Sequence, residues 1–319
     1  MAVKVLANDG IAPSGLKKLK ENGFEVDTDK REQEDLIDAI NDEGFQVVLV
    51  RSATKIRKEV IDACPNLKAV IRGGVGMDNI DVEYAREKGV MVSNTPAASS
   101  QAVAELTMAH LYSIARGLYD SNRQMPVNGA TEFKKLKKKY GGGTELRGKT
   151  LGVIGFGRIG QYTAKYALGN GMKVLAYNRT RKVVDLDLEI EGVNASVNIE
   201  TQSKDHVIEN ADFISLHVPA QADGKAVIGE GEFKMMKDGC YIVNTARGGV
   251  VDEKALQEAL ETGKVAYAGL DVFENEPTPA TELLKNDKIS LSPHIGAATA
   301  EAQSRIGTEI ADILIEHFK

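Results

Sequence analysis

The sequence predicts an α/β protein built from two doubly wound parallel sheets of the Rossmann-like type. Short apolar runs alternate with helix-period segments along the chain, which is typical of parallel α/β architecture. The length of 319 residues exceeds the usual size of one hydrophobic core, so two domains are expected. A glycine-rich turn between a strand and a helix near residue 155 indicates that one of the domains binds a nucleotide.

The first series of elements occupies roughly the first hundred residues. Its strands are predicted at VKVLAND, FEVDTD, FQVVLVRS, LKAVIRG and VMVSNT. The segment SGLKKLKENG between the first two strands has helical periodicity, and there Ser14 is expected to cap the helix and Gly23 to end it.

The second series begins near residue 150. Its strands are predicted at TLGVIGF, MKVLAYN, ADFISLHVP, GCYIVNTARG, VAYAGLDVF and ISLSPH, with helices such as DEKALQEALETG between them. Before it, residues 99–125 predict a long amphipathic helix, followed by a Gly- and Lys-rich arm that ends near Lys149. The helix and arm suit an inter-subunit element, although periodicity alone fits an intramolecular brace equally well. A further amphipathic helix, AEAQSRIGTEIADILIEHF, closes the chain.

Composition predicts a soluble, cytoplasmic protein. Hydrophobic residues make up 42% and charged residues 27%, and no apolar run approaches the ~20 residues of a membrane span. The chain enters its first strand without the pattern of a signal or transit peptide, so we expect no export. Cys64 and Cys240 lie far apart without a nearby Cys/His pattern, so neither a disulfide nor a metal site is expected.

The charge balance argues against general affinity for nucleic acid or anionic membranes, since the net charge is -6. The run KKLKKK at 134–139 is short and contains no aromatic residue. It fits a solvated loop or helix face, or else a local contact with an anionic partner.

The glycine-rich turn has the spacing G-x-G-x-x-G at Gly155, Gly157 and Gly160. Gly155 permits a tight turn, Gly157 lets the backbone approach a pyrophosphate, and Gly160 allows close helix–strand packing. The N-terminus of the following helix supplies N–H donors and a partial positive charge. The motif therefore predicts a dinucleotide-binding site.

The strand after this helix ends in Asn178, where an acid usually binds the adenosine ribose hydroxyls of NAD. Asn178 lacks the charge that repels a 2'-phosphate, and Arg179 and Thr180 offer a cation and a hydroxyl that could bind one. The sequence therefore predicts relaxed cofactor choice, with appreciable use of NADP beside NAD.

Three residues at strand ends of the second series could carry chemistry: Arg247 in NTARGG, Glu276 in DVFENEP and His294 in SPHIGA. Each alone is compatible with a structural role, as a surface charge, a loop acid or a satisfied histidine. Together they suit hydride transfer to a 2-oxo acid, because a guanidinium can hold the carboxylate and a His–carboxylate pair can exchange a proton.

At this point the sequence resembles the D-isomer-specific 2-hydroxyacid dehydrogenases over essentially its whole length. The matching motifs are GGVGMDNID, SSQAVAEL, GKTLGVIGFGRIG, LHVP, NTARGGVVDE, GLDVFENEP and SPHIGAAT. The resemblance implies that Arg247, Glu276 and His294 are catalytic. It also implies cofactor contacts at Val75, Gly155, Gly157, Arg158, Ile159, Gly160, Asn178, Arg179, Val218, Thr245, Ala246, Asp271, His294, Ile295, Gly296 and Ala297.

The resemblance further implies a discontinuous first domain. Residues 1–97, completed by 295–319, would bind substrate, and residues 98–294 would bind NAD(P), with a dimerisation helix and arm at 98–148. A homodimer is thus expected. The chain stops after its last helix, so we expect no regulatory serine-binding domain and no feedback inhibition by serine.

Within that family, VRSATK at 50–55 and IRGGVGMDNID at 71–81 look like segments of 3-phosphoglycerate dehydrogenases, the enzymes at the entry to serine synthesis. Arg51, Lys55 and Arg72 would bind the phosphate of a small 2-oxo or 2-hydroxy acid, and backbone N–H groups around Gly74 and Val75 would bind its carboxylate. Alternatively, Arg51 and Arg72 make structural ion pairs at strand ends.

Two other functions stay open. A glyoxylate or hydroxypyruvate reductase is favoured by the segment from Asn178 to Thr180 and disfavoured by the cationic VRSATK and IRGG stretches. A nucleotide-sensing corepressor is the more distant alternative, disfavoured because all three catalytic positions are filled.

Overall fold

The computed structural model describes residues 2–319, apart from the side chains of Glu189, Ile190 and Val193. The chain forms two units, one of Met1–Ser100 with Ala297–Lys319 and the other of Gln101–Gly296. Each contains its own parallel sheet, so the predicted α/β class with two doubly wound sheets, the first discontinuous, is confirmed. The sequence places the boundaries after residues 97 and 294, and the units divide three and two residues later.

The first unit has a five-stranded sheet in the order β2-β1-β3-β4-β5. Its strands are β1 (Lys4–Ala7), β2 (Glu25–Asp27), β3 (Val47–Val50), β4 (Ala69–Arg72) and β5 (Met91–Asn94). Its helices are α1 (Pro13–Glu21), α2 (Leu36–Asp42), α3 (Lys58–Ala63), α4 (Val82–Glu87) and, from the C-terminal segment, α12 (Ala300–Phe318). The order reverses between β1 and β3, so the loops after these two strands flank the switch point of this sheet.

Helix α12 closes one face of this sheet by packing on α1. A Cβ at Gly15 would lie 2.3 Å from the backbone oxygen of Gly307, which shows how closely the two helices approach. The rings of Phe24 and Phe318 meet edge to face at 6.2 Å. The buried face of α12, which includes Ile306 and Ile310, joins the β1–β3–β4 core.

The start of α1 differs from the expectation. Ala12, in extended conformation, is the N-cap, and Pro13 takes the first helical position, where its missing N–H costs nothing. Ser14 therefore lies inside the helix and donates to the backbone oxygen of Ser304 in α12. Gly23 follows the helix in a left-handed conformation, at φ 81°, and ends it as predicted.

The second unit has a six-stranded sheet in the order β13-β12-β11-β10-β6-β7 and a two-stranded sheet, β8-β9. Its strands are β6 (Thr150–Ile154), β7 (Lys173–Tyr177), β8 (Val183–Ile190), β9 (Val193–Glu200), β10 (Phe213–Leu216), β11 (Cys240–Asn244), β12 (Val265–Leu270) and β13 (Ile289–Leu291). Its helices are α5 (Ser100–Arg116), α6 (Leu118–Lys139), α7 (Arg158–Gly169), α8 (Lys204–Asn210), α9 (Glu230–Met235), α10 (Glu253–Glu261) and α11 (Thr281–Lys285).

The β8–β9 hairpin is a feature that the sequence analysis missed. Its antiparallel strands pair from Val183 with Glu200 onward, and Leu186 and Ile199 are buried in the core formed with α7 and β7. The alternation of Val184, Leu186 and Leu188 with acidic residues is the period-2 signal that could have identified it.

The predicted long helix is two helices. Gly117 adopts φ 59° and separates α5 from α6, because a left-handed residue cannot continue a right-handed helix. The predicted arm is also partly wrong, since α6 kinks at Glu132 (φ -117°, ψ 21°) and then runs through the lysine-rich segment to Lys139. That run forms a helix face, where Lys139 is 2.6 Å from the carboxylate of Asp120.

None of the helices in the described part of the chain is both long and apolar enough to span a membrane. Cys64 and Cys240 are free and buried.

Candidate active site

The glycine turn lies at the carboxyl end of β6, next to β10, where the strand order of the second sheet reverses. A Cβ at Gly155 would lie 2.5 Å from the backbone oxygen of His217, and one at Gly160 would lie 2.2 Å from the backbone oxygen of Gly155. Both positions therefore require glycine for close packing. At Gly157, the N-cap of α7, nothing lies within 4 Å of an added Cβ.

Gly155 and Gly160 are tightly packed, whereas Gly157 is open, and a pyrophosphate site at the N-terminus of α7 needs both features. The helix has 12 residues and no side-chain cap, so its first N–H groups, at Arg158 and Ile159, have no capping side chain and can bind a ligand. Arg158 is exposed and Ile159 is half-buried. Val218, expected to contact the cofactor, follows β10 and packs against Gly155, 2.7 Å from its ideal Cβ position. The described residues thus fit a dinucleotide at this edge.

Asn178 follows β7 and is half-buried, and its side-chain amide donates to the backbone oxygen of Thr180 at 3.0 Å. This bond closes a small turn that leaves Arg179 and Thr180 exposed. The next cation, Arg181, is 2.5 Å from the carboxylate of Glu200 at the end of the hairpin. Within the described part of this segment, the guanidinium of Arg179 is exposed and makes no ion pair.

Arg247 lies in the turn after β11. The turn is organised by Asn244, whose side chain accepts from the N–H of Ala246 at 3.0 Å and donates to the backbone oxygen of Arg247 at 3.0 Å. The Arg247 guanidinium is half-buried and donates to the backbone oxygen of Ala246 at 2.7 Å. Thr245 is buried, with its hydroxyl 2.8 Å from that of Thr107 in α5.

The turn that carries Arg247 touches the loop that carries Glu276. A Cβ at Gly248 would lie 1.9 Å from the backbone oxygen of Phe273, so only glycine permits this approach. Glu276 Oε1 accepts from the N–H of Phe273 at 3.0 Å, which fixes its carboxylate within the loop. The two loops are therefore held together by backbone contact.

The side chains of Glu276 and His294 are hydrogen-bonded to each other. His294 Nδ1 lies 2.7 Å from Glu276 Oε2, and the side chains are 34% (Glu276) and 41% (His294) exposed. A carboxylate accepts hydrogen bonds only, so Nδ1 carries the proton of this bond. The other ring nitrogen, Nε2, is thereby left as the atom that can exchange a proton with a substrate.

His294 has a left-handed backbone, with φ 54°, which is unusual for a residue other than glycine. The conformation is held by Asp271, which is 1% exposed. Its backbone oxygen accepts from the N–H of His294 at 2.8 Å, and its two carboxylate oxygens accept from the N–H groups of Ile295 and Gly296, each at 2.9 Å. Ala297 begins the returning segment of the first unit.

In the first unit, the loop after β3 carries Arg51 and Lys55. The carboxylate of Asp9, after β1, accepts from the N–H of Arg51 at 2.6 Å and from the N–H and hydroxyl of Thr54. Arg51 is half-buried and Lys55 is exposed. The loop is thus pinned at the switch point of this sheet, with two cations on it.

The side chain of Arg72, at the end of β4, is hydrogen-bonded to the backbone. Its Nε donates to the backbone oxygen of Arg51 at 3.1 Å, and its Nη1 would lie 2.1 Å from a Cβ at Gly74. The guanidinium therefore packs over Gly74 and ties two loops together. Val75 is 38% exposed, and its backbone oxygen accepts from the side chain of Asn94.

Sequence reasoning missed several residues that shape this site. Asn244 organises the Arg247 turn, and His110 and Ser292 extend the hydrogen bonds of Asp271 into the core. The signals that could have indicated them were a lone histidine on the apolar face of α5 and an isolated glycine, Gly269, inside β12, which often marks a close approach.

Residues 108–296 match the family model described as D-isomer specific 2-hydroxyacid dehydrogenase, NAD binding domain. A hydroxypyruvate reductase of Thermotoga maritima is 45% identical over 293 residues, covering 91% of this chain and 89% of that protein. A D-3-phosphoglycerate dehydrogenase of Methanocaldococcus jannaschii is 43% identical over 312 residues, covering 97% of this chain and 56% of that protein.

A solved structure is also similar to this chain. The NADPH-dependent glyoxylate/hydroxypyruvate reductase of Sinorhizobium meliloti, in complex with NADP and malonate, has a TM-score of 0.80 and 27% identity, covering 100% of this chain and 94% of that one. The chain spans just over half of the phosphoglycerate dehydrogenase and most of the two reductases. With its family model, its relatives and its two-sheet fold in agreement, this chain belongs to the D-isomer-specific 2-hydroxyacid dehydrogenases, a family of NAD-dependent oxidoreductases.

Proposed function

We propose that the chain interconverts a D-2-hydroxy acid and its 2-oxo acid, with His294 as the proton-exchanging group. The observation that carries the proposal is the 2.7 Å contact between His294 Nδ1 and Glu276 Oε2 at the carboxyl edge of a nucleotide-binding sheet. The contact orients the imidazole and leaves Nε2 as the nitrogen that faces a substrate. Glu276 therefore acts through His294 as a positioning residue.

The second unit would hold the cofactor through the N-terminus of α7 and the residues around it. Gly157 leaves room for a pyrophosphate, and the backbone N–H groups of Arg158 and Ile159 would bind it. When bound, the nicotinamide ring supplies or accepts the hydride. The protein contributes position and charge.

His294 would move the proton that accompanies the hydride. In reduction, Nε2 donates its proton to the carbonyl oxygen of the 2-oxo acid, while Nδ1 stays bonded to Glu276. In oxidation, Nε2 accepts the hydroxyl proton, and the carboxylate stabilises the imidazolium that forms. Both directions use the same two ring nitrogens.

Arg247 would bind the substrate carboxylate. Its planar head group is well matched to a carboxylate, and the bond from Nη1 to the backbone oxygen of Ala246 limits its freedom. Loss of this residue should weaken binding and turnover together, since the same group polarises the adjacent carbonyl.

As substrate we propose 3-phosphohydroxypyruvate and D-3-phosphoglycerate. Arg51 and Lys55 supply positive charge at the switch point of the first sheet, on a loop that Asp9 pins. The 43% identity to a D-3-phosphoglycerate dehydrogenase supports this substrate. We propose the same role for Arg72, whose Nε also donates to the backbone oxygen of Arg51.

A second candidate is the reduction of hydroxypyruvate or glyoxylate. It is favoured by the half-buried, neutral Asn178 with exposed Arg179 beside it, which suits NADPH. The reductases of Thermotoga maritima and Sinorhizobium meliloti support it too.

The deciding experiment measures initial rates with 3-phosphohydroxypyruvate, hydroxypyruvate and glyoxylate, each with NADH and NADPH. The first proposal expects kcat/KM for the phosphorylated acid to exceed that for hydroxypyruvate by at least about 100-fold, since the phosphate adds charge-assisted hydrogen bonds of ~1.5–3 kcal/mol each. Comparable values, or a preference for hydroxypyruvate, would select the second candidate.

Two variants test the residue assignments in the same assay. His294→Ala should lower kcat with little effect on KM, and Arg51→Gln should raise KM for the phosphorylated acid alone. The matched controls are His206→Gln, an exposed histidine on α8, and Arg57→Gln, an arginine that pairs with Asp81 at 3.0 Å. Unchanged turnover in His294→Ala would rule out the proposed proton role.

We also propose a homodimer formed through the α6 region. This helix carries several exposed apolar side chains: Leu118, Met125, Val127 and Phe133, with exposures between 43% and 78%. Exposed apolar residues grouped on one element are typical of an interaction surface. Sedimentation equilibrium should give twice the chain mass, and Val127→Asp with Phe133→Asp should shift it toward the monomer.

A further inference from the structure

A row of polar groups crosses the apolar interior of the second unit, between α5 and the strands β12 and β13. It consists of His110, Ser290, Ser292 and Asp271. His110 is 4% exposed, and Ser290 and Asp271 are as deeply buried. Its neighbours on α5, Met108 and Leu111, belong to the hydrophobic core. Buried polar groups in such a setting are costly unless they are hydrogen-bonded to one another.

The hydrogen-bond directions in this row can be assigned by starting from Asp271. Asp271 already accepts two backbone N–H bonds, and as a carboxylate it must also accept from Ser292, whose Oγ lies 2.6 Å from Oδ1. Ser292 has then used its only proton, so it accepts from His110 Nε2 at 2.9 Å. Ser290 Oγ lies 3.1 Å from His110 Nδ1 and 3.4 Å from Ser113 Oγ, so its single proton can serve only one of these two neighbours.

The bond to Ser292 requires a proton on His110 Nε2, which a neutral ring can carry. Burial lowers the pKa of His110, and the nearby charge of Asp271 opposes that shift only in part. The neutral ring is therefore consistent with both its hydrogen bonds and its surroundings.

The fold provides space for His110 at one particular place. A Cβ at Gly269, the penultimate residue of β12, would lie 2.8 Å from Cβ and 3.1 Å from Nδ1 of His110. The imidazole thus lies directly on the backbone of a core strand. Its position is determined by this contact as well as by the two serines.

The other end of the row is the loop of His294. Oδ1 of Asp271 accepts hydrogen bonds from the hydroxyl of Ser292 and from the N–H of Ile295. Oδ2 accepts one from the N–H of Gly296. The loop must be held, because His294 has a left-handed backbone that is unfavourable for a residue with a side chain. A carboxylate that could rotate would hold it less well.

We propose that His110 is a positioning residue, which acts through Ser292 and Asp271 to hold the loop that presents His294. The expected effect on catalysis rests on the proposed role of His294, whereas the anchoring of the loop by His110 does not. Removing the Nε2 donor leaves Ser292 free to turn away from Asp271, and the Asp271 carboxylate then loses one of the three bonds that orient it.

The test compares His110→Leu and His110→Gln by hydrogen–deuterium exchange of the apo-protein. Leucine fills the space without a donor, whereas glutamine can still reach Ser292 with its amide. His206→Gln, on the exposed face of α8, is the matched histidine control. Ser292→Ala removes the middle of the row without changing α5, in case His110→Leu does not fold.

In His110→Leu and Ser292→Ala, amides 294–297 should exchange at least about fivefold faster than in the wild type, and in His110→Gln at a near wild-type rate. The kcat should fall about 10-fold or more, with the substrate KM changed by less than about threefold, because the loop is displaced while Arg247 is not.

Wild-type exchange of these amides in both His110→Leu and Ser292→Ala would overturn the proposal. Equal losses in His110→Leu and His110→Gln would also overturn it, since they would indicate packing alone. The exchange data do not depend on catalysis, so they remain decisive even if His294→Ala retains turnover and the proposed function fails.

Discussion

The exchange of Glu276 for glutamine is the sharpest test of the His294–Glu276 pair. Glutamine has the same length, and its Oε1 can still accept from the N–H of Phe273, now at 3.0 Å from Glu276 Oε1. Its amide would face His294 Nδ1, where the carboxylate oxygen is at 2.7 Å. An amide N–H donates, so the neutral ring would turn to the tautomer with its proton on Nε2. That tautomer cannot accept the hydroxyl proton of a 2-hydroxy acid.

The size of the effect follows from the geometry. A hydrogen bond to a charged group contributes ~1.5–3 kcal/mol. With side chains 34% and 41% exposed, solvent screening places this pair in the lower part of that range. A loss of about 1.5–2 kcal/mol in the transition state lowers kcat about 10- to 30-fold, and the changed tautomer adds to this in the oxidative direction.

The assay measures kcat and KM in both directions, together with NADH affinity by fluorescence titration. We expect kcat to fall, more for oxidation than for reduction, with NADH affinity unchanged. Glu274→Gln is the matched control, because Glu274 lies in the same loop but accepts from the N–H of Glu253 at 3.2 Å instead of contacting His294. A kcat of Glu276→Gln within about twofold of the wild type would refute the reasoning.

Three further predictions concern the nucleotide site and its surroundings. Asn178→Asp places a carboxylate where a 2'-phosphate would lie, so kcat/KM for NADPH should fall at least about 10-fold relative to NADH in steady-state kinetics; an unchanged ratio would remove Asn178 from cofactor choice. Gly160→Ala, whose Cβ would lie 2.2 Å from the backbone oxygen of Gly155, should lose about 1–3 kcal/mol of unfolding free energy, whereas Gly157→Ala, with nothing within 4 Å, should keep its stability and bind NADH more weakly by calorimetry. Equal stability of these two variants would contradict the packing argument. Burial lowers the pKa of His217 from 6.5 to about 3. Between these two pH values the unfolded chain binds more protons at this residue than the folded chain does. The contribution of His217 to the free energy of unfolding is therefore complete above pH 6.5 and is lost as the pH falls toward 3. The free energy of unfolding, measured with denaturant, should therefore fall by up to about 1.4 kcal/mol per pH unit in this range, and His217→Gln should reduce that slope. An identical slope in the variant would count against this role of His217.

Much of the site can be recognised from local sequence. The glycine spacing at 155–160 and the departure at Asn178 depend on neighbours a few residues away, and so does the position of Arg247 after a strand. These features predict the fold class because a parallel sheet brings the carboxyl ends of its strands to one edge. The break at Gly117 is harder, since a glycine inside a helical pattern is often tolerated.

The sequence alone therefore determined the α/β class with its two sheets, the nucleotide fingerprint and the candidate catalytic positions, because period and spacing are local properties. Only the tertiary structure decided what those positions contact. His294 meets Glu276 from 18 residues away, and His110 reaches Ser292 from 182 residues away. Such contacts depend on which strands become neighbours and on where a glycine such as Gly269 leaves space, and neither is encoded in the residues next to the ones that meet.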